Sequence, residues 1–377
     1  MLPSRMGRLS EFKTGYELWL DRESIPVSEG YGIADVTRIP RGDWQRTGGK
    51  GAYIRLAGMQ GITGMYVAEI APGGFLKPER HLYQEVMYVL RGRGATEVWQ
   101  EGQPKQSFEW QVGSLFSPPL NAWHQLYNGS SEPALLFVLT DAPLVFDLYR
   151  DPEFVFDCSH QFLSRFDGQA DYFREGTNRA QSAVGISTFL ETNFIADVSG
   201  VKLDSAEYKS AGGQITGFEI SGNSLIGHIA EWPVGRYHKA HYHAAGAMLF
   251  GLRSEGYVLM WPNELGPRPY ESGHGDQVVK VDWGLGSVYS PPQGWFHQHF
   301  NTGHQAARQL ALRFGSRRHP VGFHLAAKRT EDGTAVSIRN GGTLIEYEDE
   351  DPAIRGEYEQ ALARNGLRCD MPEVVYA

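Results

Sequence analysis

Short apolar runs recur along this chain, some alternating with polar residues and some continuous, and turn residues separate them. That period-two pattern predicts strands and few helices. Glu85 to Trp99 reads as two strands around a glycine-centred turn, YVLRGRG, and Pro133 to Pro143 as another strand rich in Leu, Val and Phe. The second half repeats the theme in Ala247 to Trp261 and in Arg308 to Gly315. A helical period emerges near the C-terminus, where Asp351 is a candidate cap, Pro352 a first helical residue and Gly366 a terminator. Forty-five glycines and twenty prolines fit many short strands better than long helices.

The two halves are related. Residues 113–128 (GSLFSPPLNAWHQLYN) align without a gap on 286–301 (GSVYSPPQGWFHQHFN), with eight of sixteen positions identical. Residues 72–94 pair with 233–256 at a similar separation, so one β-barrel has been duplicated. The offset grows from 162 to 173 between these blocks, and the Gly- and Pro-rich stretch 261–277 is the expected insertion. The predicted order is an N-terminal arm (1–50), a first barrel (51–150), a connector with a short helix or two (151–205), a second barrel (206–320) and a tail with a helix (321–377). The acidic run 347–352 reads as solvated surface.

Composition narrows the function. A net charge of −9 lacks the basic patch that nucleic acid requires, so no such partner is expected. Two cysteines, Cys158 and Cys369, provide neither a disulfide framework nor a CxxC zinc site. With no long apolar stretch, the expectation is a cytoplasmic protein with no membrane partner. Edge strands and the arm leave homo-oligomerisation open. No phosphate loop, GxSxG elbow or dinucleotide fingerprint occurs in a suitable context.

The chemistry concentrates in histidines. Gly235 is followed by His241, Tyr242 and His243, and after a strand-rich interval by Pro292, Gly294, His297 and Asn301. Alternation along a strand puts His241 and His243 on one face, and His297 from a later strand can complete a triangle around a metal ion. Neutral imidazoles suit iron, nickel, copper or zinc. His238 and His299 are weaker candidates for the same site. In the first copy Gly73 is followed by Glu79, Arg80, His81 and Glu85, then Gly92, Pro119, His124 and Asn128. Glu79, His81, Glu85 and His124 form a possible second metal site with a harder ligand set, suited to manganese, iron or zinc. Alternatively they form a metal-free polar cluster with a carboxylate paired to Arg80 or another cation.

Both blocks resemble the two motifs of the cupin superfamily, and their duplication resembles the bicupins; the resemblance covers both barrel cores, about half the chain. It implies an all-β fold of two jelly-roll-like barrels. The usual first motif has a glutamate ligand four residues after its second histidine, where this chain has Ala247. Three histidines without that glutamate resemble the gentisate-type dioxygenases. The resemblance implies iron(II), with manganese, nickel, copper or zinc as alternatives, and an oxidation in which a small aromatic or chelating organic acid and dioxygen are the partners. A non-oxidative isomerase, lyase or decarboxylase, with Glu79 or Glu85 as acid or base, and a non-catalytic binding bicupin are the competing readings. Arg253 and Arg313 are candidates to grip a carboxylate, each more readily read as a solvated outer-face residue. Tyr237, Tyr242, Trp295 and Phe296 could wall a planar substrate but are better read as core.

Overall fold

The computed structural model describes residues 12–59, 61–174, 179–181, 188–243, 246–316 and 336–376. The start of the predicted arm and residues 321–335 of the predicted tail lie outside them. Each half builds a large and a small antiparallel-rich sheet that face each other as a jelly roll. In the first half the large sheet runs 27–30, 49–56, 64–70, 134–140, 85–91, 115–116 and 194–195, with 42–44 beside 49–56, and the small sheet runs 123–128, 93–99, 106–111. In the second, the large sheet centres on 214–220, 225–232, 307–314 and 248–253, and the small one runs 279–283, 256–262, 295–301.

The continuous apolar runs have a simple cause: the two large sheets pack back to back, so their central strands are buried on both faces. On strand 134–140, Leu135, Phe137 and Leu139 enter a core shared between the barrels while Leu136 and Val138 enter the first barrel's own core. Leu310, Leu312 and Phe314 meet them from the other side. Phe250 bridges the layers, with ring centroids 5.3 Å from Tyr88 and 5.4 Å from Phe137. The same parity turns Gln309, Ala311 and Arg313 toward the inside of the second barrel.

The duplication extends further than the barrels. Residues 33–36 and 195–198 both read Ile-Ala-Asp-Val, and each copy crosses to the opposite barrel. Strand 32–33, from the arm, pairs with 288–289, and strand 194–195, from the connector, pairs with 115–116. Val36 and Val198 donate their backbone N–H groups to Gly286 and Gly113, both at 2.9 Å. Both glycines have positive φ, and a Cβ on Gly113 would lie 2.8 Å from Asp197 Oδ1 and one on Gly286 3.2 Å from Asp35 Oδ1, so the crossover needs glycine twice. Arm and connector therefore lock each half to the other instead of merely flanking the barrels.

Helix α1 (Gly15–Glu23) is unanticipated by the apolar pattern but carries a local signature, a capping box between Thr14 and Glu17. Helix α2 (Ala142–Tyr149) ends the first-barrel segment and α3 (Pro152–Asp157) opens the connector. Helix α4 (Pro352–Arg364) has Asp351 as its N-cap and Gly366 just beyond its end. The reading of 347–352 as solvated surface holds at Glu348, which is exposed, and is corrected at Glu350 and Asp351. Asp351 is fully buried and also accepts the Tyr270 and Glu271 backbone N–H groups, while Glu350 is 1% exposed and accepts from Tyr237 Oη and Gln298 Nε2. The tail closes one end of the second barrel, so these two carboxylates have protein, not water, to satisfy them. The loop 263–278 replaces the first barrel's short 100–105 connection and holds the α4 cap.

Candidate metal centres

His241 and His297 are joined by a pair of backbone hydrogen bonds, 3.2 and 2.9 Å, an isolated bridge that ties His241 to strand 295–301. His243 follows two residues later, and the three imidazoles offer nitrogens within 4.8 Å of one another. His241 Nδ1 donates to the Lys239 carbonyl and His297 Nδ1 to the Trp295 carbonyl, both at 3.1 Å. A carbonyl only accepts, so Nδ1 carries the proton and Nε2 presents its lone pair to the site. Burial, and then the nearby Lys209 charge, pushes His241 well below the ordinary histidine range, and His297 falls to about 4 with burial as the main cause. Neutral imidazoles with aligned lone pairs are the chemical state a divalent ion needs.

These histidines open on a cavity inside the second barrel. His238 and His299 line it too, as do Lys209, His228 and Arg313. His299 Nδ1 lies 2.7 Å from the Tyr289 hydroxyl, which donates to Gln309 Oε1 at 2.9 Å, so His299 is fixed through its outer nitrogen and its inner one faces the cavity. Burial drives His238 down to about 3 and His299 well below its usual range. Ala247, at the position of the usual glutamate, lines the cavity as well. Of the two arginines weighed from the sequence, Arg253 is tied to Glu231 at 2.6 Å and to the Ala306 carbonyl, whereas Arg313 reaches the cavity. The outer-face reading of Arg313 is thus corrected. Tyr237 and Phe296 pack under the C-terminal tail and take no part in the cavity lining, and neither do Tyr242 and Trp295.

The first barrel repeats the backbone device with different chemistry. Glu79 and His124 form the corresponding isolated bridge, with hydrogen bonds of 3.0 and 2.9 Å, so Glu79 stands where His241 stands. His81, Glu85 and His124 offer ligand atoms within 4.8 Å of one another and are almost fully buried. The Nδ1 atoms of His81 and His124 are spent on the carbonyls of Tyr83 and Ala122. His81 Nε2, Glu85 Oε2 and His124 Nε2 have no hydrogen-bond partner, and three orphaned buried atoms converging on one point fit a metal ion. Tyr66 holds the other Glu85 oxygen at 2.6 Å. Without an ion, burial opposes charge on His81 and on Glu85, and their attraction at 3.3 Å outweighs it, raising the imidazole pKa and lowering the carboxylate pKa.

Glu79 does not join this trio as the sequence suggested: Arg46 claims it. The guanidinium also binds Glu23 at 2.8 Å and lies over the rings of Trp19, Trp44 and Phe156. Arg80, the cation named from the sequence, pairs instead with Glu101. Helices α1 and α3 thus bring aromatic rings and Glu23 to the first barrel's polar centre and pack it tightly. No sequence pattern flags Arg46, which lies 33 residues from its partner in the arm.

Asn128 and Asn301 close the two motifs in the same way, each donating Nδ2 to a carbonyl at the end of an earlier strand of its barrel, Ile70 or Pro233, and to a turn carbonyl four residues on, the latter at 2.8 Å in both.

A cupin domain is matched over residues 66–140. A 5-aminosalicylate 1,2-dioxygenase of Comamonas sp. is 32% identical over 93 residues, 24% of this chain and 23% of that protein, so the match spans less than a quarter of that relative's length. Among solved structures, an oxalate decarboxylase studied for its substrate binding mode and reaction specificity is similar at TM-score 0.48 and 10% identity over 75% of this chain and 77% of that one. Oxalate decarboxylase from Bacillus subtilis is similar at TM-score 0.47 and 10% identity, over 75% and 76%. No described helix is long and apolar enough to cross a membrane. The first half thus carries a matched cupin domain, and its pair of sheets, isolated bridge and asparagine-laced turn recur in the second half.

Proposed function

We propose that this bicupin is a metal-dependent enzyme that oxidises a small chelating organic acid with dioxygen, with iron(II) held by His241, His243 and His297 in the second barrel. One observation carries the reading: three imidazoles, those of His241 and His297 held neutral by burial, converge in a cavity where Ala247 replaces the expected carboxylate. Iron(II) bound there would supply a Lewis acid and a redox partner with coordination positions left for an acid. The chain's own residues do the rest. The Lys239 and Trp295 carbonyls orient two ligands, and Tyr289 with Gln309 holds His299 beside them. Lys209 and Arg313 line the same cavity, cationic side chains of the kind that recognise an acid. The dioxygenase relative acts, by its name, on 5-aminosalicylate, an acid with a neighbouring hydroxyl that suits such a chelate. The working unit in this proposal is the second barrel, 206–320, with arm, connector and tail as its supports and the cytoplasm as its compartment.

A non-oxidative reaction is the second reading, favoured by the buried carboxylate of the His81, Glu85 and His124 group. It ranks below the first because Glu79 is neutralised by Arg46 and Glu85 is held by Tyr66 and His81, which leaves neither free to shuttle protons to a ligand in the second barrel. Anaerobic loading with iron(II), followed by oxygen-electrode assays on hydroxylated aromatic acids, 5-aminosalicylate and oxalate, decides the matter. Oxygen uptake that requires acid and iron supports the dioxygenase. Silence across the panel at full iron occupancy removes it, and turnover with zinc in the absence of dioxygen selects the non-oxidative reading.

A further inference from the structure

Two turns that join equivalent strands in the two barrels each reach across to the opposite candidate ligand set. In the first barrel the turn 57–63 lies between strands 49–56 and 64–70, and in the second the turn 221–224 lies between strands 214–220 and 225–232. Thr63 and Ser224 end these turns, so a hydroxyl stands at the same place twice. Thr63 Oγ1 donates to the Gly246 carbonyl at 3.0 Å, a nearer and stronger acceptor than the Met59 sulfur at 3.7 Å, and the Gly246 N–H donates to the Gly58 carbonyl at 3.2 Å. On the other side, Ser224 Oγ donates to Asp141 Oδ2 and accepts from Gln84 Nε2, both at 2.6 Å, while the Ser224 N–H donates to Gln84 Oε1 at 3.2 Å. Asp141 also accepts the Gln84 backbone N–H at 2.6 Å.

Gly246 and Gln84 are themselves equivalent. Each lies three residues after a candidate ligand histidine, His243 or His81, and directly before Ala247 or Glu85. Each turn makes a second crossing contact, on the serine that precedes the Pro-Pro pair. Gly58 abuts Ser290 and Pro291 so closely that a Cβ would lie 2.4 Å from both carbonyls, and Ser221 Oγ and Asn223 Nδ2 bind Ser117 at 2.8 Å. Ser290 Oγ closes the second clasp by donating to the Ala247 carbonyl at 2.5 Å. A crossing turn thus holds both chain segments that deliver ligands, the one leaving the first pair and the one leading to His124 or His297.

We propose that Thr63 and Ser224 are cross-barrel positioning residues: Thr63, in the first barrel, sets the geometry of the His243 segment in the second, and Ser224, in the second, sets that of His81 and Glu85 in the first. This rests on the reading of the two clusters as metal ligands. Neither hydroxyl touches a ligand ring. Each fixes the backbone that carries one, and a ligand's geometry is only as precise as the groups that hold its backbone and its outer nitrogen. Each ligand set therefore depends on the opposite barrel, the reverse of what closeness in sequence suggests.

The test uses the full chain and cobalt(II), whose visible bands report coordination geometry. His124→Ala leaves the second-barrel set intact and His297→Ala the first, so each site is read alone by its spectrum and by competition with a chromophoric chelator. In the His124→Ala protein, Thr63→Val should shift the cobalt bands and weaken binding by about three- to tenfold, less than the roughly 10–100-fold lost with a direct partner of a ligand. Thr63→Ser should restore both, and Ser224→Ala should change neither. In the His297→Ala protein Ser224→Ala should act and Thr63→Val should not. Hydrogen exchange on the metal-free chain gives a readout that needs no ion: Thr63→Val should speed exchange in peptides covering 241–247, and Ser224→Ala in those covering 79–85, each sparing the other segment. Effects confined to the mutated residue's own barrel, effects spread equally over both segments, or no effect in either assay overturn the proposal. If no cobalt binds, the reading of these clusters as metal ligands fails, and the exchange pattern still decides whether the support is crossed.

Discussion

The two barrels share a backbone device and differ in what surrounds it. In the second, a two-residue bridge presents His241 and His297 to a cavity lined by further histidines and apolar side chains. In the first, the same bridge presents Glu79 and His124, but Arg46 neutralises the glutamate and aromatic rings from α1 and α3 fill the space. One duplicated scaffold therefore carries an accessible, carboxylate-free ligand set and a sealed, carboxylate-containing one. The lesson is that ligand identity and access diverged together. Under the proposed assignment, the carboxylate of the first barrel's candidate set would suit a firmly held dication, and the second barrel's candidate set would offer an ion imidazoles alone.

Removing one ligand from the open site should break this contrast most completely. His297→Ala is expected to lower turnover by more than about 100-fold, exceeding what loss of an outer-shell partner costs, and elemental analysis should show the metal count per chain falling by one. If the count falls but oxygen uptake persists, the chemistry resides in the first barrel. Next in size is Ala247→Glu, which gives the second site the carboxylate of the first. It should tighten metal binding while reducing acid-dependent turnover by about tenfold, the effect of ~1.4 kcal/mol of lost attraction for the anion. A steady-state comparison of kcat and KM, made beside a metal titration, reads both changes.

Arg46→Met addresses the sealed site. It leaves Glu23 and Glu79 without their cation in a half-buried setting and should cost about 2–4 kcal/mol of stability, somewhat less than breaking a fully buried pair, as read by urea denaturation. A neutral outcome would show that the aromatic packing alone closes this barrel.

The smallest effect concerns the tail that closes the second barrel. Burial raises Glu350 to about 7 from an ordinary value of 4.5, and the Tyr237 and Gln298 hydrogen bonds do not fully offset it. The folded state then binds the proton more tightly than the unfolded one, so this group's contribution is fully present below pH 4.5 and lost as pH rises through about 7. Glu350→Gln stays neutral, and Gln298 can turn its unpartnered Oε1 to the new amide. The variant should match the parent near pH 4.5 and gain up to about 2–3 kcal/mol by pH 8. Melting curves across that range check it, and a constant difference at every pH would contradict the assignment.

Much of this was legible in the residues. The repeat at 113–128 and 286–301 announced two equivalent barrels, and the His-x-His spacing with a later histidine marked the site that the fold assembles. The α4 cap at Asp351 was readable because capping is local. Other features had signals that went unread: the capping box of α1, and the Ile-Ala-Asp-Val repeat at 33–36 and 195–198, short enough to pass as chance until its two copies are seen crossing to opposite barrels. The burial of 347–352 had no such signal, because a charged run is exposed or enclosed according to what packs over it.

The sequence by itself determined the all-β character, the duplication and the identity of the candidate ligands, all of which depend on residues close in the chain or on comparing one half with the other. Only the tertiary structure decided that Arg46 takes Glu79 out of the first site, that Arg313 and not Arg253 faces the second cavity, and that Lys209 stands beside its histidines. The reason is physical. Strand periodicity and capping act over a few residues, whereas pairing and desolvation of charge depend on groups that folding brings together from distant parts of the chain.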